Sequence, residues 1–166
     1  MILKRLWRHV TTDVGTVRRL FPPRALAAIA AAVQATEGTH SGEVRVVIEA
    51  SLPPGAVLAG QTARDRAIDV FSAERVWDTE ENNGVLIYLL LADHDVEIVA
   101  DRGIHARCGA EAWETVCRLM EASFRQGRFE AGAVAGVQAV GELLARHFPS
   151  SDGGGANELP DEPVVR

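Results

Sequence analysis

A small mixed β-sheet with helices on both faces is the α/β fold class that the sequence predicts, and three observations carry it. Val85 to Leu91 is an unbroken apolar run of seven residues, strand-sized and without a charge, so both of its faces must be covered. Glu43 to Ala50 is a second strand-sized run, rich in β-branched residues, and a helix-periodic stretch separates the two. Strand–helix–strand implies a right-handed parallel crossover. Finally, only Asp93-His94-Asp95 separates the apolar run from Val96 to Ala100, a turn so short that the pair makes an antiparallel hairpin.

The other elements follow in order. Pro22-Pro23 opens a helix, since proline is tolerated in a first turn, and Leu26, Ile29, Ala30 and Val33 recur at helical spacing until Gly38 stops it. Pro53-Pro54-Gly55 breaks the chain after the first strand. Thr62 caps the crossover helix, which buries Ala63, Ala67, Val70 and Phe71 before the polar loop from Asp78 to Gly84. Val96, Ile98 and Ala100 alternate with Glu97 and Val99, making the third strand the more exposed one. Two helices close the body. Trp113, Val116, Cys117, Met120 and Phe124 form the stripe of one; Ala133, Val137, Val140 and Leu144 form that of the other. Gly132 and Gly136 allow close backbone approach, a packing feature in a chain of this kind.

A length of 166 residues suits one domain, residues 22–148, between a basic amphipathic arm (1–21) and a flexible C-terminal tail (149–166). In the arm, Leu3, Leu6, Trp7 and Val10 recur at helical spacing with Lys4, Arg5 and Arg8 between them. Such a helix is suited to peripheral contact with an anionic membrane through residues 1–10; the competing reading packs it on its own domain or on a partner subunit. The tail combines Ser-Ser-Asp-Gly-Gly-Gly with Pro160 and Pro163 and reads as a linker, although Leu159, Val164 and Val165 could return to the domain. Seventeen Lys and Arg against 23 Asp and Glu, net −6, exclude a general nucleic-acid binder. Residues 1–24 nevertheless carry six cations against Asp13, so a basic arm sits on an acidic body. No apolar run approaches the ~20 residues that span a bilayer, and the N-terminus has no apolar signal core. Cys108 and Cys117 form no CxxC pair and read as thiols of a reducing compartment, so a cytoplasmic location is expected.

Ala67-x-x-Val70-Phe71, then Asn83-Gly84-Val-Leu-Ile-Tyr-Leu-Leu-Leu, Asp93-x-x-Val96-x-Ile98, Gly103, and Phe124-Arg-Gln-Gly127-Arg-Phe129-x-x-Gly132-x-x-x-Gly136-Val137 together resemble the TPM domain over residues 40–147. The resemblance implies a mixed α/β sandwich around a small central sheet, in agreement with the element order. It also implies varied roles: photosystem repair in plants, receptor accessory roles in animals, membrane tethering in many bacteria. Divalent-cation binding and weak acid phosphatase activity are attributed to some members. This chain departs from the pattern at Asn82, where many members have Asp, and at His105, where an acidic residue is common.

Topology sorts the polar residues into two edges. The carboxyl ends of the parallel strands collect Glu49, Ser51 and Asp93-His94-Asp95, where ligands of open α/β sheets usually sit. The opposite edge collects Asp78, Glu80, Glu81, Asn82 and Asn83 near Asp101, Arg102 and His105. Hard cations need several oxygen ligands, and Asp78, Glu80, Asn82 and Asp101 are the candidate metal set, with Ca²⁺ or Mg²⁺ as the ion. A solvated loop is the competing reading. His40, His94 and His105 show no metal-ligand spacing and read as surface or turn residues. Asp101-Arg102 reads as a structural pair or an anion clamp, and Gly103 as a backbone position. No GxSxG elbow supports a nucleophile; Cys108, just before a helix, is the one thiol placed for activation, and Trp77 and Trp113 read as packing anchors. Two functions remain: a non-enzymatic interaction module, with or without a cation, whose protein partner the sequence does not name, and a weak metal-assisted acid phosphatase.

Overall fold

The computed structural model describes residues 1–150 and 157–166. Among these, four strands form one sheet in the order β3-β2-β1-β4: β1 (Glu43–Glu49), β2 (Gly84–Leu90), β3 (Asp95–Ala100) and β4 (Val164–Val165). β1 and β2 are parallel, with Glu43 opposite Gly84 and Glu49 opposite Leu90. β2 and β3 are antiparallel, with Val85 opposite Ala100. A 3₁₀ turn, Leu91–Asp93, and a left-handed His94 (φ 56°) close this hairpin. Every residue of β1 and of β2 is buried, as the apolar run requires.

The pleat divides the core in two. Val44, Val46, Ile48, Val85, Ile87, Leu89, Val96 and Ile98 face one layer. That layer is built by α2 (Val14–Leu20), α3 (Pro23–Glu37), α7 (Ala110–Arg125) and α8 (Phe129–His147). Val47, Leu86, Tyr88, Leu90 and Val99 face the other, built by α4 (Pro54–Leu58), α5 (Ala63–Ala73) and Leu159. Thr62 forms a full capping box with Asp65, which starts α5 where the sequence places it. Small residues set the helix spacing in the first layer. A Cβ on Gly136 would lie 2.2 Å from Met120 Sδ, and one on Gly141 2.5 Å from Thr36 Cβ. α8 therefore packs closely on both α7 and α3.

Three features depart from the sequence reading. Residues 157–166 lie on the body instead of hanging free: Val164 and Val165 pair in parallel with Val47 and Ile48. The exposed edge of β1 explains this. Its backbone groups need partners, and Arg45 donates to the carbonyls of Pro160 (2.8 Å) and Glu162 (2.9 Å) while Leu159 buries its side chain. The glycine-rich stretch 151–156 lies outside the described residues. Second, Trp77 is half exposed, held by a hydrogen bond from its indole N–H to the Ser72 carbonyl and not by core packing, although Trp113 is buried as expected. Third, His40 is buried, not a surface residue: Ser41 and Ser150 tie its loop to the end of α8.

Glycine at position 84 is dictated by close approach. A Cβ there would lie 1.9 Å from the carbonyl oxygen of Val76, a backbone atom that cannot swing aside. Gly84→Ala is therefore expected to cost about 3 kcal/mol or more in urea unfolding, the upper end of a forced overpacking, with a correspondingly lower denaturation midpoint.

Candidate functional site

The predicted carboxylate edge is assembled by topology. The Asp101 N–H donates to the Gly84 carbonyl at 3.0 Å, which sets the exit of β3 beside the entry of β2. Asp101 caps α6 (Arg102–Cys108), its Oδ1 accepting from the Arg102 N–H at 3.3 Å, while its Oδ2 is buried with no hydrogen-bond partner. Burial raises the Asp101 carboxyl pKa, and the Arg102 N–H offsets part of that. The other three residues do not join it in a common shell. Asp78 is exposed and ion-paired with Arg75. Glu80 is exposed, and its N–H is held by the Glu158 carboxylate at 2.9 Å. Asn82 occupies the left-handed region at φ 52°, which Asn tolerates better than most residues. A backbone requirement thus accounts for Asn at this position. Among the described residues, no three His, Cys, Asp or Glu side chains converge to hold a metal ion. Of the four candidate residues, Asp101 is the one whose free carboxylate oxygen is buried.

At the carboxyl edge of β1 and β2 the polar residues are satisfied from within. Glu49 accepts from the Tyr88 hydroxyl at 2.6 Å and from Arg66 at 2.8 and 2.9 Å. Asp93 accepts from Arg5 Nη2 at 2.7 Å and Nε at 3.0 Å, and from Arg8 at 3.3 Å. His9 is buried; its Nδ1 accepts from the Leu52 N–H at 2.9 Å, so the ring proton sits on Nε2, 3.0 Å from Asp93 Oδ1. Burial alone would raise the Asp93 carboxyl; the Arg5 hydrogen bonds and the adjacent His9 ring outweigh it and hold the pKa below the usual range. The basic arm, α1 (Ile2–Thr11), therefore covers the edge where a ligand would be expected. The sequence showed the cations of α1 but not that Asp93 would receive them.

A third region was not foreseen. β3 is an edge strand, and a groove of about 490 Å³ runs beside it, lined by Arg64, Asp95, Glu97, Trp113, Cys117 and Glu121 among others. Its outward backbone is met by side chains: Arg64 donates to the Ile98 carbonyl at 2.6 Å, and Glu121 accepts from the Val96 N–H at 3.4 Å. His105, whose N–H donates to the Asp101 carbonyl at 2.8 Å, also lines this groove. Burial, then the charges of Glu97, Glu121 and Asp93, push the Asp95 pKa up to about 6. Burial and the same two glutamates push the Cys117 thiol to about 12. Cys108 ends α6 and its pKa is raised by burial, so neither thiol is activated as a nucleophile. The alternation of Val96, Glu97 and Ile98 was the available signal for this edge; the helix that would flank it was not.

The TPM domain model matches residues 17–143, most of the chain, and the protein belongs to the TPM domain family. Its fold is similar to the NMR structure of the BA42 protein from the psychrophilic bacterium Bizionia argentinensis. The two share 32% identity over 86% of this chain and 93% of that one, with a TM-score of 0.74. No curated protein matches the chain. No helix among the described residues is long and apolar enough to cross a membrane.

Asp95 gives this region a pH signature. Its folded pKa of about 6 lies above the ordinary 3.8, so the unfolded chain ionises first. The contribution of Asp95 to stability is fully present below pH 3.8 and is lost as pH rises through about 6. Asp95→Asn should gain stability over the wild type across that window and hold the gain above it. Thermal midpoints of both chains against pH check this; a difference that does not vary with pH contradicts it.

Proposed function

We propose that this TPM domain is a non-enzymatic interaction module whose contact surface is the free edge of β3. One observation carries the reading. The sheet ends on a strand on which the outward Val96 N–H and Ile98 C=O are held by two side chains, Glu121 and Arg64, beside a groove of about 490 Å³. Exposed strand edges pair with added strands, and side-chain caps can swing aside as a backbone could not. The groove carries Asp95, Glu97, Glu114 and Glu121 against Arg64 and Arg118, so it favours an extended segment bearing Lys or Arg. The commitment of Glu49, Asp93 and Asp78 to arginine partners supports a binding role over chemistry at either sheet edge.

The test uses two short peptides of alternating valine, one with Lys and one with Glu. The Lys peptide is expected to shift the amide resonances of Val96 and Ile98, and more weakly at high salt. Equal shifts with the Glu peptide, or none on β3, would overturn the assignment.

One atom favours the second reading, a weak metal-assisted acid phosphatase: the buried, unpartnered Oδ2 of Asp101. Phosphate-ester turnover with and without Mg²⁺, repeated on Asp101→Ala, separates the two. The interaction reading expects no turnover above buffer. A Mg²⁺-dependent rate lost in the variant would establish the phosphatase.

A further inference from the structure

α1 is docked the wrong way round for an amphipathic helix. Such helices normally bury the apolar row and leave the charges in water. Here Arg5 and His9 face the body, locked to Asp93 and to the Leu52 N–H, and Arg5 also donates to the Gln61 carbonyl at 2.7 Å. Leu6 packs partly buried against the core, but the rest of the apolar row is left outside: Leu3 is 76% exposed, Trp7 69% and Val10 59%. Met1 and Ile2 at the start of α1 are exposed too, as is Leu58 on the α4 turn packed beside it. Scattered apolar residues on a surface are ordinary, but a continuous row on one helix is a docking face.

The charges around it identify the occupant. Helical periodicity sets Lys4 and Arg8 in the row adjoining Leu3 and Trp7. Arg8 keeps nearly half of its side chain in water despite its contact with Asp93. Lys4, Arg18 and Arg19 are exposed and have no acidic partner among the ion pairs of the described residues. An apolar row flanked by cations, with a Trp between them, matches an interface of hydrocarbon below anionic headgroups. A second copy of the chain would instead bring these cationic rows together, which like-charge repulsion disfavours. The ion pairs to Asp93 tie the helix to the body with this side outward, so a membrane-bound arm would hold the domain at the surface. The β3 edge belongs to a different strand and plays no part in this contact.

We propose that α1 is a peripheral membrane anchor that inserts Leu3, Trp7 and Val10 at the surface of an anionic bilayer. The full chain is sedimented with phosphatidylcholine vesicles, with and without phosphatidylglycerol, at roughly 1 mM lipid. It should pellet with the anionic vesicles alone and be released as salt rises. Leu3→Gln/Trp7→Gln replaces exposed side chains, so its thermal midpoint should hold while the bound fraction falls roughly tenfold. Ile68→Gln, an exposed apolar residue on α5, should leave binding unchanged. No pelleting, equal pelleting with both vesicles, or an unaffected double variant would overturn the proposal. So would a dimer in sedimentation velocity that the double variant disperses, since the face would then belong to a second copy.

Discussion

β2 is buried on both faces, and the other elements are arranged around that constraint. A strand with Val85, Ile87 and Leu89 on one side and Leu86, Tyr88 and Leu90 on the other cannot face water, so a helical layer must cover each side. The parallel partner β1 inherits the same burial but carries Glu43, Arg45 and Glu49. Each of these charges would be costly if left unpaired in the interior. Their partners account for much of the rest of the chain. Arg45 holds the C-terminal segment and pairs with Glu74 at the end of α5. Glu43 accepts from the N–H groups of Glu158 and Leu159. Glu49 fixes Arg66 of α5 and the hydroxyl of Tyr88. The C-terminal strand is thus a consequence of charges placed in a buried strand.

The same logic operates at the periphery with a different result. Asp93 ends the turn after β2 and gathers Arg5, Arg8 and His9 from the arm. A polar attachment of this kind orients a helix without burying its apolar row. The arm is therefore held chiefly by polar contacts to Asp93 and the Leu52 N–H, with Leu6 as its apolar foothold, and the domain body by two apolar layers. The proposed surfaces reflect this division. The β3 edge belongs to the sheet, whereas the exposed row of α1 belongs to an element attached through Asp93.

The sheet and its main helices were legible because they depend on local pattern. The run from Val85 to Leu91, the short turn at Asp93 and the stripes of α7 and α8 each state their environment within a few residues. The C-terminal strand was not legible, because Val164 and Val165 are too short a run to signal a strand. What holds them is Arg45, more than a hundred residues away. The arm was half legible. Its amphipathic spacing is plain in the sequence, but which row faces the body depends on Asp93 and the Leu52 N–H, which only the fold brings near. The candidate cation set shows the same limit. Topology does bring Asp101 to the start of β2, but the sequence does not reveal that Arg75 takes up Asp78 or that the backbone claims Asn82.

Native-state hydrogen exchange tests most directly the claim that arm and body are separately held units. Amides of β1 and β2 should exchange only through global unfolding, and those of α1 through a cheaper local opening. In Asp93→Asn, α1 protection should fall further while the β2 amides change far less. Protection of α1 equal to that of β2, falling in parallel with it in the variant, would contradict the account.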